Sequence, residues 1–173
     1  MKKILFSLIA LISVMTVQAQ SICASWRTMQ PIVETEEDGS FTAQSLLYTF
    51  NQDGTYSYTN ELTMSTEPAP TMALEIALSI ELKGTYTLEG EQMTLTPNMD
   101  TFNADLLSVS VNGHVSEDPA MKANIKSMLL GNEFKAQFTE VKQYTNVKVG
   151  DQMLQMSNDG QELMFVRFAT IQN

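Results

Sequence analysis

The chain is 173 residues long and 43% hydrophobic, with 10 Lys and Arg against 20 Asp and Glu for a formal net charge of −10. So acidic a surface repels phosphate backbones and anionic lipid, which argues against nucleic-acid binding. The acids are scattered, with Glu34, Glu36, Glu37 and Asp38 the densest run, a distribution that suits solubility better than cation storage.

Taken in chain order, the first element is an export signal. Lys2 and Lys3 precede an apolar run over residues 4–17, and Val17-Gln18-Ala19 offers small or branched residues where a signal peptidase reads. The run falls short of the roughly 20 apolar residues needed to span a bilayer. The expectation is a signal peptide over residues 1–19, cut after Ala19, and one domain over residues 20–173 in the periplasm or medium. Removing Lys2 and Lys3 leaves 8 Lys and Arg against 20 Asp and Glu, a formal charge of −12. Cys23 is the sole cysteine, so no internal disulfide forms despite the oxidising destination. Ile22 stands where lipoprotein processing wants a small residue, so a buried or unreactive thiol is expected ahead of a lipid anchor.

Residues 25–33 read as a first strand carrying Trp26, closed by an acidic turn at Glu36-Glu37-Asp38-Gly39. A strand over residues 41–50 follows, then the turn Asn51-Gln52-Asp53-Gly54 and a strand over residues 55–64, broken by Glu67-Pro68-Ala69-Pro70. Leu74, Ile76, Leu78, Ile80 and Leu82 alternate with less apolar neighbours, the period of a strand with one buried face. Tyr86 and Leu88 keep that parity, so Gly84 reads as a bend or bulge within one long strand. Glu89-Gly90-Glu91 turns into Met93 and Leu95, and Pro97 is expected to end that run. Residues 105–111 form another strand, with Leu107, Val109 and Val111 on one face, before the turn Asn112-Gly113.

Asp118 as cap and Pro119 at the first helical position start a helix over residues 119–130. Met121, Ile125, Met128 and Leu129 recur at helical spacing, and Gly131 suits a left-handed end. Beyond it Phe134, Ala136 and Phe138 alternate. Val147 and Val149, residues 153–156 and, after Asn158-Asp159-Gly160, residues 163–168 complete eight to ten strands and one helix. Sandwich and barrel both fit such spacing; hairpin connections favour an antiparallel up-and-down barrel, whose closure removes exposed edges.

Trp26, the segment Thr49-Phe50-Asn51-Gln52-Asp53-Gly54-Thr55-Tyr56 and the run Gly84-Thr85-Tyr86-Thr87-Leu88-Glu89-Gly90 together resemble the small bacterial lipocalin-like proteins of the calycin group. The resemblance runs from about Trp26 to Phe168. Lipocalins carry a Gly-x-Trp near the first strand; Ala24-Ser25-Trp26 keeps the tryptophan without the glycine. The resemblance also implies an arginine packed across that tryptophan, a part that Arg167 fits, making Trp26 and Arg167 a structural latch. It implies an all-β, lipocalin-like barrel of about eight strands with an inserted helix. The position of that helix within the strand series departs from the typical layout.

Chemistry-bearing patterns are sparse. His114 is the only histidine, there is no Gly-x-Ser-x-Gly elbow, and one His with one Cys does not make a zinc site. No phosphate-cradling loop or dinucleotide fingerprint appears, so neither enzyme activity, cofactor nor metal is expected. The methionines admit three uses: core filling, the lining of an apolar cavity, and Cu(I) binding at Met153 and Met156. Tyrosines could bring hydroxyls into such a cavity or lie outside the barrel. Tyr56, Tyr58, Tyr86, Leu88 and Met93 are the candidate ligand-binding residues. The expected function is non-catalytic binding of a small apolar or amphipathic ligand; the alternative is a structural or interaction module of the cell envelope with a filled core.

Overall fold

The computed structural model describes residues 22–36, 39–69 and 71–168; the expected signal peptide lies outside them. Among these residues the order is β1 (Ser25–Thr28), β2 (Ile32–Glu36), β3 (Gly39–Phe50), β4 (Thr55–Ala69), β5 (Met72–Glu89), β6 (Gln92–Val111), β7 (His114–Val115), α1 (Pro119–Leu129), α2 (Asn132–Ala136), β8 (Lys142–Val149), β9 (Met153–Asn158) and β10 (Gln161–Arg167). All pairings are antiparallel. β1 joins both β3 and β10, closing an eight-strand ring in the order β1-β10-β9-β8-β6-β5-β4-β3. β2 pairs only with β3, and β7 only with β6. The fold is thus the all-β up-and-down barrel expected.

Local chemistry sets the hairpins. Asp53 accepts from the Thr55 amide and hydroxyl, at 3.0 and 2.6 Å, fixing the turn between β3 and β4. Asp159 and Gly160 both take positive φ, 48° and 82°, the two-residue turn whose twist matches its flanking strands. Asn112 and Gly113 do the same at 50° and 78° before β7.

One end of the barrel is stoppered. Ile22 and Trp26 are fully buried there, and the Trp26 indole N–H donates to the Ile22 carbonyl at 2.8 Å. Phe50, Leu154 and Phe165 fill the same core. The Arg167 guanidinium lies 5.1 Å from the Trp26 ring centroid, and the two residues face each other across the β1–β10 ladder. Such a contact is worth about 0.5–2 kcal/mol. The opposite end is flared, because β5 and β6 run 18 and 20 residues, far beyond the three-residue pairing of β6 with β8.

Several expectations change in the folded chain. The strand expected over residues 25–33 is interrupted at Met29-Gln30-Pro31. Pro97 does not end its strand: β6 passes through it, and the ladder to β8 stops at Leu95 instead. A proline lacks the N–H that edge would need, so it ends the neighbour and not the strand. Pro68 likewise sits inside β4, where the register with β5 slips between Thr66 and Ala69. Leu107 is 57% exposed, not core-facing, because the register slips there: Ala77 faces Ser108 while Leu78 faces Leu106.

The helix starts where expected, with the Asp118 carboxylate accepting from the Ala120 and Met121 amides. Only Ile125 and Leu129 of its apolar set are buried; Met128 is 49% exposed. Gly131 is extended at φ −69°, not left-handed, and leads into α2, where an alternating strand was expected. Phe134 and Phe138 there close on Phe102, with ring centroids 6.4 and 5.4 Å from it.

Gly84, expected as a bend or bulge, is paired on both sides, with the β5–β6 register slipping just before it between Glu81 and Lys83; it is a point of close approach. A Cβ at this position would meet the Thr96 carbonyl oxygen and stand 2.6 Å from Tyr56 Cε1. At Gly90 a Cβ would meet nothing within 4 Å, although φ is +63°. Gly84→Ala is therefore expected to cost about 1–3 kcal/mol in denaturant unfolding by overpacking, and more than Gly90→Ala. Equal losses would contradict the packing of Tyr56 on Gly84.

Candidate functional site

Above the stoppered end the barrel holds a floor of phenols. β3 contributes Tyr48, β4 Tyr56 and Tyr58, and β8 Tyr144, all buried. Alternation along β3 and β4 places the first three on the inner face. In β8 the chain inserts an extra residue between Thr145 and Lys148, with Asn146 at φ 54°. That bulge turns both Tyr144 and Val147 inward despite their odd spacing. The Tyr48 and Tyr144 hydroxyls are 3.2 Å apart, and the Tyr48 ring lies 5.3 Å from that of Tyr58.

Next to them is Asn60, only 5% exposed. Its amide nitrogen donates to the Tyr58 hydroxyl at 3.0 Å, while its carbonyl oxygen, also buried, has no partner. A buried, unpaired acceptor costs about 1–3 kcal/mol. Since the Tyr58 oxygen accepts in this bond, its own proton is left for another acceptor. In the Tyr48–Tyr144 pair one hydroxyl donates and the other keeps its proton. The floor therefore presents both an acceptor and phenolic donors.

Of these groups Tyr48, Asn60 and Tyr144 border a lumen of about 250 Å³. Tyr48, Asn60 and Tyr144 form its base, Phe41, Ala43, Leu46, Leu62 and Leu163 its apolar wall, and Glu34, Gln137, Lys142 and Gln161 its polar rim. Phe138, brought over the mouth by the segment after α2, also lines a niche of about 20 Å³ on Tyr56 and Tyr58.

The expected residues are dispersed. Tyr58 and Tyr56 belong to the floor and its niche. Tyr86, Leu88 and Met93 do not line the lumen: the Tyr86 hydroxyl donates to the Asn51 carbonyl at 2.9 Å, beside Cys23 Sγ at 3.6 Å, in the stoppered end. Met93 is core, Leu88 packs at its margin, and among the described residues no methionine lines the lumen. Met153 is 48% exposed while Met156 is fully buried, as an odd spacing on a strand requires, so the two sulfurs do not converge. No group of three or more His, Cys, Asp or Glu able to hold a metal occurs among the described residues. His114 is exposed on β7. Tyr48, Asn60 and Tyr144 are the site residues for which sequence parity gave no decisive sign.

No family model matches the chain, and no curated protein matches it. Two of the solved structures to which it is similar are from Bacteroides. One is a lipocalin-like protein from Bacteroides uniformis, 13% identical over 86% of this chain and 99% of that one, with a TM-score of 0.42. The other is an uncharacterized protein from Bacteroides eggerthii, 11% identical over 84% and 98% of the two chains, with a TM-score of 0.41. Eight strands closed in up-and-down order is an arrangement that lipocalins share with other small barrels. The barrel is lipocalin-like.

Electrostatically the floor is neutral. Burial pushes the Tyr48 phenol well above its ordinary value, with Tyr144 and Tyr58 adding to the rise. Burial likewise raises Tyr144 and Tyr58, takes Tyr56 up to about 12, and raises Tyr86. These are all five tyrosines of the chain. The folded state thus favours the protonated phenols: the associated stability is complete below the unfolded value of about 10 and is lost as pH rises through the folded values. Spectrophotometric titration should show no phenol ionising near pH 10 in the folded protein, with unfolding accelerating above that pH. Tyrosines that titrate at their ordinary value would contradict the buried floor.

Proposed function

We propose that this protein is an exported, non-catalytic carrier of a small amphipathic molecule, held in the lumen with its polar end on the Asn60 floor. The observation that carries the reading is the Asn60 carbonyl oxygen, buried and without a partner at the base of an apolar-walled cavity. An unmet acceptor beside phenolic donors is complemented by a neutral group that both donates and accepts, such as a primary amide or a hydroxyl. Phenols are neutral at physiological pH, so the floor itself supplies no counter-charge to an ion. The wall of Phe41, Leu46, Leu62 and Leu163 suits an apolar body. Lys2, Lys3 and the following apolar run support export. Among the described residues no helix is long and apolar enough to cross a membrane. A filled interior would instead support a structural module, and the lumen weighs against it.

Calorimetry with hexanamide, hexanoate and hexylamine is the test. Hexanamide should bind, and the two ions should bind at least about tenfold more weakly, because a buried unpaired charge is costly. Asn60→Leu should weaken hexanamide by about tenfold or more, the value of one buried hydrogen bond, while leaving the melting temperature of the empty protein unchanged or higher. Equal binding of all three compounds, or an Asn60→Leu protein that binds as the original does, would sink this reading.

A further inference from the structure

A second, larger cavity of about 410 Å³ lies where the barrel wall fails to close, between β2 and the start of β10. Its origin is local. β1 and β10 run in a register that pairs Trp26 with Arg167 and Thr28 with Phe165, and the Met29 amide still donates to the Met164 carbonyl at 3.2 Å. Two residues on, the same register calls for a donor at residue 31. That residue is Pro31, which has no N–H. The ladder stops, the chain re-enters the sheet as β2 against β3 alone, and the two strands separate.

The resulting slot is bordered by residues from both sides of the wall. Along β10 Phe165 is buried, so Leu163 shares its inner face while Glu162 and Met164 face outward. On β2 half-buried Ile32 precedes Val33, which is 60% exposed. Residues of both faces line the slot, and Ile32, Gln161 and Leu163 line the lumen as well. On the outside Met29, Val33 and Met164 are 53%, 60% and 42% exposed. Lumen and slot adjoin across Ile32 and Leu163, giving a polar base, an apolar bend and an exit where Met29, Val33 and Met164 stand beside Gln30 and Glu162.

We propose that the slot is the subsite for a single alkyl chain, so that the ligand is a straight-chain amphipath whose neutral head rests on Asn60 and whose tail leaves the barrel sideways between β2 and β10. This rests on the carrier reading above and specifies its ligand class. The lumen takes the head and the first methylenes; the slot adds contact only once the chain is long enough to reach Leu163 and pass it. A branched or fused-ring ligand would fit the lumen without using the slot.

A series of straight-chain primary amides from hexanamide to dodecanamide, titrated by calorimetry, tests it. Affinity should rise with every added methylene, by up to about fourfold each where burial is complete. The exposed positions permit a triple variant, Met29→Glu, Val33→Glu and Met164→Glu, that places charge along the slot without touching the lumen wall. It should bind hexanamide as the original protein does and lose most of the gain for dodecanamide. Hexanamide binding in the variant also reports that the barrel is folded. If hexanamide binds but affinity is flat with chain length, or if the variant keeps full affinity for dodecanamide, the slot proposal falls while the carrier reading stands. If no amide of any length binds, both fall.

Discussion

The architecture depends on β1, four residues long, holding two strands at once. Ser25, Trp26 and Arg27 pair with Thr49, Tyr48 and Leu47 on one side, while Trp26, Arg27 and Thr28 pair with Arg167, Val166 and Phe165 on the other. Without this double pairing the sheet would be open and the phenol floor would face solvent. Trp26 concentrates that role. It is fully buried, tied to Ile22 through its indole N–H and covered by Arg167, so the strand that closes the ring also carries the plug of its stoppered end. Large aromatic burial of this kind offsets the entropy of ordering a segment far from its partners in sequence.

The same short strand explains why the other end is open. Past Thr28 the register with β10 reaches Pro31 and cannot continue, and on the far side of the barrel Pro97 stands just beyond the last β6–β8 pair. Two prolines thus stop two ladders and leave the upper strands splayed, with the helices and Phe138 over part of the gap. Below lies the packed core around Trp26, Phe50 and Phe165. Above it Asn60 retains an unmet carbonyl, a local cost of the kind that folded proteins keep where a ligand contacts them.

How much of this could be read from the chain follows the physics of each signal. The period of β5 from Leu74 to Leu88 was legible because one face is buried along its whole length, and the turns at Gly54, Gly90 and Asp159-Gly160 because few residues adopt those backbone angles. Leu107 was not, since a one-residue slip reverses parity and nothing in the local sequence marks it. Phe134 and Phe138 misled because three apolar residues spaced by two fit one turn of helix about as well as a short strand. Of the site, Tyr56 and Tyr58 were legible as inward candidates. Tyr144 depended on the Asn146 bulge, and Asn60 on an absence of partners that only the assembled barrel reveals.

The lumen with its unsatisfied floor is the centre of this account. It is tested most directly by a crystal structure grown with octanamide. The predicted result is the amide within hydrogen-bond distance of the Asn60 carbonyl oxygen, with its chain between Leu46, Leu62 and Leu163. A structure in which side chains fill that space, Asn60 has found a protein partner and octanamide is absent from the lumen would contradict it.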